Sequence, residues 1–248
     1  MMQLQSREEP ETLITTVEPT LETTNSANIV PAKSSIAHWL LNILDPIGRH
    51  LVMPLYFRRL QVTGQDNIPR NGPVILAPTH RSRWDGLVIA YAAGKPVTGR
   101  DLRYMVSQDE MEGLQGWFIR RTGGFPVNTK QPGISTIRHS VELLRNGEVL
   151  VMFPEGNIFR HGYINPLKPG MARIAMQVES SQPDIGLKIV PISIRYSDPI
   201  PRWRSSVKIS IGTPLEVGKY CTKSGKKSAQ KLTSDLETAL INLDRNSV

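Results

Sequence analysis

The sequence predicts an α/β fold: a mixed, largely buried sheet covered by helices, preceded by an amphipathic helical segment. Three observations carry this. Hydrophobic residues make up 39% of 248 positions, which supplies a core for one domain of typical size. From Val62 onward, short apolar runs alternate with stretches of helical periodicity. Turn residues punctuate the alternation, and strands separated by helices imply a sheet with covered faces.

The elements follow in chain order. Residues 1–33 read as a disordered acidic tail, rich in Thr, Glu, Ser and Pro, with five acidic residues against Arg7 and Lys33 and no apolar period. Ser34 or Ser35 then offers an N-cap, and Ile36, Leu40, Ile43 and Ile47 recur at helical spacing beside Trp39. Pro46 and Pro54 are expected to break this stretch, residues 34–60, into short pieces. Met53, Leu55, Tyr56 and Phe57 follow, then Arg58 and Arg59. Bulky apolar surface beside fixed positive charge suits helices lying in a membrane interface, and a pair of core helices reads the same way.

Residues 61–248 form the main domain. Ile68-Pro69-Arg70-Asn71-Gly72 is turn chemistry, and 73–77 is a short apolar run that reads as a buried strand. The run 87–93 suits a helix, 102–106 a strand, 111–120 a helix and 124–127 a short strand. Ile134, Ile137, Val141 and Leu144 mark the clearest amphipathic helix, which Asn146-Gly147 stops. Strands are expected at 149–153, 188–194 and 207–211, with a helix at 171–178. Leu232, Leu236, Leu240 and Leu243 mark a closing helix.

Thirty Lys plus Arg against 22 Asp plus Glu give a formal charge of +8, which suits an anionic partner. Aromatics are only 6% and form no interleaved stripe, which argues against a single-stranded nucleic acid. One cysteine, Cys221, excludes an intrachain disulfide and a multi-thiolate metal site. The longest purely apolar run, 87–93, falls far short of the ~18 residues of a membrane span. No basic start followed by an apolar stretch marks a secretory signal.

Three constellations can carry chemistry. His80 lies three residues past a strand end, and Asp85 follows it by five. A loop turning into a helix can fold that carboxylate back onto the imidazole, fixing the tautomer so that the free nitrogen takes a proton from a hydroxyl. A surface histidine beside a helix cap is the bland alternative. Phe153-Pro154-Glu155-Gly156 leaves a buried strand through a turn and brings Glu155 to a sheet edge, where α/β folds bind ligands. Gly123-Gly124-Phe125-Pro126-Val127, preceded by Arg120 and Arg121 and followed by Lys130, offers close backbone approach and cations for a phosphate. Arg160, Lys168 and Arg173 add charge after the Glu155 turn.

Taken in this order, these segments resemble the glycerolipid acyltransferase family, whose best-known members are the 1-acyl-glycerol-3-phosphate acyltransferases. The likeness runs from Gly64 to about Pro214. His80 and Asp85 match the family's His-x4-Asp block, and residues 123–127 its Gly-x-Phe-Pro-Val type run. Phe153 to Gly156 match Phe-Pro-Glu-Gly. Lys168-Pro169-Gly170 is similar to the Lys-x-Gly step, and Val190-Pro191-Ile192 to the fourth block. Two departures stand out. Asn128-Thr129-Lys130 replaces the usual Asp-Arg continuation, and Asn157-Ile158-Phe159-Arg160 replaces a Thr or Ser with a nearby Arg. Lysine at such a place grips phosphate as a point charge, without the planar fork of arginine.

The resemblance implies acyl transfer from a thioester, on coenzyme A or acyl carrier protein, to the free hydroxyl of 1-acyl-glycerol-3-phosphate. His80 and Asp85 would be catalytic. Glu155, Gly156, Gly123, Gly124, Phe125, Lys130, Arg160, Arg120, Arg121 and Lys168 would bind substrate, with Ser82 a weaker candidate. No metal or redox cofactor is expected. Because the acceptor is a membrane amphiphile, the protein is expected as a peripheral partner of the cytoplasmic face of a membrane. Another lysophospholipid or glycerol-3-phosphate as acceptor, or a non-catalytic lipid or phosphate binder of this fold, are the competing readings.

Overall fold

The computed structural model describes residues 34–129, 131–221 and 225–245. Among them eight strands form one sheet. In chain order the elements are α1 (His38–Ile47), a π-helical turn (Gly48–Val52), α2 (Met53–Tyr56), β1 (Arg59–Thr63), β2 (Val74–Pro78), α3 (Asp85–Ala93), α4 (Lys95–Thr98) and β3 (Leu102–Ser107). After these come α5 (Gly113–Arg121), β4 (Gly124–Val127), α6 (Ile134–Arg145), β5 (Val149–Val151), α7 (Gly170–Ser181), β6 (Lys188–Tyr196), β7 (Ser206–Ile211), β8 (Leu215–Glu216) and α8 (Gly225–Arg245).

The strand order is β1-β7-β6-β2-β5-β3-β4, with the short β8 on β6. The five strands β6, β2, β5, β3 and β4 are mutually parallel, while β7 returns antiparallel to β6 and carries β1 beside it. Residue alternation then divides the core. Ile75, Ala77, Leu150 and Ile189 point to one face and pack under α6, α7 and α8. Val74, Leu76, Val151, Val190 and Ile192 point to the other and pack under α2 and α3. Both faces are covered, so β2 is buried at every position.

The amphipathic segment departs from its expected form. Pro46 sits inside α1 and Pro54 in the first turn of α2, yet the backbone stays helical from His38 to Tyr56. Pro54 follows the π turn, whose wider step carries the chain from one α segment to the next. Neither serine caps the helix: the N-cap is Ala37, while the Ser34 hydroxyl and the His139 ring nitrogen lie 2.9 Å apart. Arg59–Thr63 is a strand that the apolar pattern did not announce, because its burial alternates between exposed and half-buried. Ile134 opens α6 on the solvent side, 77% exposed, so that helix is anchored instead by Val141, Leu143 and Leu144. No described helix is long and apolar enough to cross a membrane.

Candidate active site

All five parallel strands point their C-terminal ends at one edge of the sheet, and that edge collects the polar residues the core excludes. β2 ends at Pro78 in its centre, and the chain turns through residues 79–84 into α3. Asp85, fully buried, opens the helix. Its Oδ2 accepts hydrogen bonds from the backbone N–H of Arg81 (2.6 Å) and of Ser82 (2.8 Å) and lies 2.9 Å from His80 Nδ1. Its Oδ1 accepts from the Tyr196 hydroxyl at 2.7 Å, reached from the C-terminal end of β6. The five-residue spacing therefore does what its geometry suggests: the loop closes on itself and the carboxylate grips the imidazole.

The ring of His80 lies over Phe153, centroids 4.0 Å apart and planes 22° apart, which sets its second rotation axis. With Nδ1 engaged, the side chain stays 21% exposed, and Nε2 has no hydrogen-bond partner among the described residues. A histidine so held presents one basic nitrogen in one orientation. Burial, followed by the charge of Asp85 and the bond to it, pushes the Tyr196 phenol well above its ordinary range, so it acts as a donor.

Glu155 has a different place from the one expected. Its side chain is fully buried. Oε1 accepts from His80 N–H (3.2 Å) and Arg81 Nη1 (2.8 Å), and Oε2 from the backbone and side-chain amides of Asn165 (3.0 and 2.9 Å). No face is left for a substrate. Glu155 acts instead as the rivet between the His80 loop and the segment after β5. Arg81 completes the joint, donating to the carbonyls of His80, Phe159 and Tyr163, and Phe159 N–H donates to His80 O at 2.9 Å. Arg81, Tyr196 and Asn165 carry no signal in the local pattern. Tyr196 lies 111 residues from the carboxylate it touches.

Gly156 adopts a φ of +73° that glycine tolerates, and Lys168 lies across it: a Cβ there would come within 2.6 Å of the lysine side chain. Lys168 Nζ donates to Thr129 O at 3.3 Å, which draws the ends of β4 and β5 together beside the dyad loop. Arg160 is exposed next to Phe159, at the same edge. Lys130 lies outside the described residues. Arg120 and Arg121 are not at this edge. They close α5, at the start of β4 rather than its end, where their carbonyls accept from Ser35 and Ala37 and Arg121 lies over Trp117. Gly123, Gly124 and Phe125 are buried structural residues. Gly123 has φ +94°, and a methyl on it would lie 2.4 Å from Leu102 O, while Phe125 packs edge-on to His139. Ser82 is buried and donates its backbone to Asp85. Of the described cations expected around a phosphate, Arg160 and Lys168 lie in the segment after β5, whereas Arg120 and Arg121 lie at the opposite edge.

Known proteins resemble this chain in sequence and fold. The acyltransferase family model matches residues 59–195, more than half of the chain. The 1-acyl-sn-glycerol-3-phosphate acyltransferase of Streptococcus pneumoniae is 26% identical over 189 residues, 73% of this chain and 65% of that protein, so the match spans just under two thirds of the relative. The Bacillus subtilis protein of the same name is 25% identical over 190 residues, covering 75% of this chain and 88% of its own length. The crystal structure of the 1-acyl-sn-glycerophosphate (LPA) acyltransferase PlsC from Thermotoga maritima superposes with a TM-score of 0.61 at 19% identity, over 83% of this chain and 80% of that one, and establishes the common fold. Five parallel strands opening onto a histidine and carboxylate pair, within a match that covers β1 through β6, make this chain a member of the acyltransferase family.

Proposed function

We propose that the protein transfers a fatty acyl group from a thioester, on coenzyme A or acyl carrier protein, to the free hydroxyl of 1-acyl-glycerol-3-phosphate, forming phosphatidic acid. The observation that carries this is the free Nε2 of a histidine whose Nδ1 is held by a buried carboxylate. An alcohol is a poor nucleophile at neutral pH. His80 Nε2 takes its proton as the hydroxyl oxygen attacks the thioester carbonyl carbon, and Asp85 stabilises the imidazolium that forms. When the tetrahedral intermediate collapses, the carbon–sulfur bond breaks and the imidazolium returns its proton to the departing thiolate. No covalent acyl-enzyme is needed. Arg160 and Lys168 supply charge for the acceptor phosphate, and contacts there orient the hydroxyl at a distance from the reacting atoms.

A membrane-resident acceptor requires a surface that meets the bilayer, and the amphipathic segment has one. Trp39, Ile43, Ile47, Leu51 and Leu55 recur every four residues and are 44–60% exposed. In an α-helix a four-residue repeat drifts around the axis, and the π turn between Ile47 and Met53 corrects that drift. The same segment buries Leu40, Met53 and Phe57, so it is fixed to the domain while its outer stripe stays unpaired. We assign this stripe to peripheral contact with a cytoplasmic membrane face.

The test uses purified protein, a radiolabelled acyl thioester and a panel of acceptors: 1-acyl-glycerol-3-phosphate, other lysophospholipids and glycerol-3-phosphate. Label is expected in phosphatidic acid with wild type and not with His80→Ala. Label appearing instead in another product would move the acceptor assignment, and full transfer by His80→Ala would sink the mechanism.

A further inference from the structure

We propose that Tyr196 is a positioning residue for the catalytic pair, and that the end of the amphipathic segment holds it in place. The proposal rests on the acyl-transfer reading of His80 and Asp85. It begins from an asymmetry in the carboxylate. Oδ2 of Asp85 faces three donors, His80 Nδ1, Arg81 N–H and Ser82 N–H, whereas Oδ1 has one, the Tyr196 hydroxyl at 2.7 Å. Asp85 is fully buried, so without Tyr196 one oxygen is left with no donor among the described residues, and the carboxylate plane is fixed by a single atom. The Cγ–Oδ2 direction sets where the imidazole points, and through it the direction of Nε2. The Tyr196 hydroxyl is the second point that stops the plane from turning. Buried polar atoms left unpaired are costly, and a group with two anchors is oriented where a group with one rotates.

The Tyr196 ring is held in turn. It stacks on Phe57 with centroids 6.0 Å apart, Phe57 meets Trp84 edge-on at 5.5 Å, and Trp84 stacks on Tyr56 at 4.1 Å. Trp84 is the residue immediately before Asp85. Phe57 therefore touches both the side chain that donates to the carboxylate and the residue that precedes it, and Tyr56 packs on that preceding residue. Their own backbone is pinned: Tyr56 O accepts from Arg204 N–H at 2.7 Å, and Arg58 N–H donates to Ser205 O at 3.0 Å. The segment that presents the apolar stripe on its outside thus braces the catalytic carboxylate from its inside.

Steady-state kinetics on the full chain test this, with a short-chain acceptor below its micelle-forming concentration so that membrane docking plays no part. Tyr196→Phe keeps the ring and removes the hydroxyl. The expected result is a fall in kcat of at least tenfold, with KM for both substrates within twofold, in a protein that is still folded at the assay temperature although the unpaired Oδ1 lowers its melting temperature. Phe57→Leu, which loosens the stack, is expected to lower kcat by a smaller factor on the same soluble acceptor. A Tyr196→Phe protein with kcat within twofold of wild type, or with its loss carried by KM or by unfolding at the assay temperature, overturns the positioning role. A Phe57→Leu protein with full kcat overturns the bracing by the segment. His80→Ala separates the two levels: inactive His80→Ala beside fully active Tyr196→Phe defeats this inference alone, and active His80→Ala defeats the reading beneath it.

Discussion

Beyond the C-terminal ends of β2 and β5, charged side chains are buried: Asp85, Glu155 and Arg81 are each less than a tenth exposed, and every carboxylate oxygen among them has a donor. In the helical segment 38–56 the reverse holds. Trp39, Ile43, Ile47, Leu51 and Leu55 are large, apolar and about half exposed, in line along one side. Burying charge without partners and exposing contiguous apolar surface are both unfavourable, so each region marks a place where folding alone does not explain the residues. The buried one has its compensation inside the molecule. The exposed one lacks it among the described residues, which is why the two call for different tests.

The largest effect belongs to the dyad. His80→Ala is expected to lower acyl transfer by about a thousandfold or more, as loss of a general base does, while vesicle binding stays at the wild-type level. A co-sedimentation assay run beside the activity assay checks both. Vesicle binding that fell along with activity would break the separation between the regions.

Glu155→Ala comes next. It leaves Arg81 as a buried charge without its carboxylate and frees the backbone of His80 and Asn165. Breaking one side of such a pair costs about 3–5 kcal/mol, read as a lower denaturant midpoint. Activity should fall as well, since His80 loses its footing. The matched change on the stripe, Leu51→Glu, is expected to alter folding stability by about 0.5 kcal/mol or less, because the side chain is already in water. On vesicles the order inverts. Leu51→Glu should weaken partitioning by about 1.5–3 kcal/mol, roughly tenfold or more, as burial of a leucine side chain would predict, and Glu155→Ala should leave it unchanged where the protein remains folded. Point changes are the right tool here. Deleting residues 34–60 would also strip Met53, Phe57 and part of β1 from the fold.

How far these two regions are legible in the sequence differs for a physical reason. Asp85 could be paired with His80 because five residues of loop bring them together whatever the rest of the chain does. The parallel strands at 74–78 and 149–151 were legible because each is apolar throughout, as a doubly covered strand must be. Tyr196 was not, since nothing near it in the chain reports a carboxylate 111 residues away. Glu155 is legible as a sheet-edge residue and not as a buried one: a Phe-Pro-Glu-Gly turn says where it sits, and only the fold says that Arg81 and Asn165 consume the oxygens expected to bind substrate. Arg120 and Arg121 are near the glycine run in sequence, but a helix that packs back along the sheet delivers them to the start of β4. In the amphipathic segment the outer stripe was legible only in part, since Ile43 and Ile47 lie on it while Leu40, read with them, turns inward, and periodicity records a face and not its partner.

Per residue, the smallest expected effect concerns the cations beside the stripe. Arg58 and Arg59 are exposed at the end of α2 and the start of β1, a few residues from Leu55. Near an anionic bilayer each contributes about 1 kcal/mol, a factor of about five in partitioning. Arg58→Gln with Arg59→Gln should therefore weaken binding to anionic vesicles and leave binding to neutral ones untouched. Salt distinguishes this from the stripe. The Debye length contracts from about 10 Å at 0.1 M to about 3 Å at 1 M, so raising ionic strength should erase the difference between wild type and the double variant. The Leu51→Glu defect, by contrast, should persist at high salt, since apolar burial is not screened. A double variant whose defect survived 1 M salt would mean that these arginines hold the segment's shape, and the stripe alone would then carry the membrane contact.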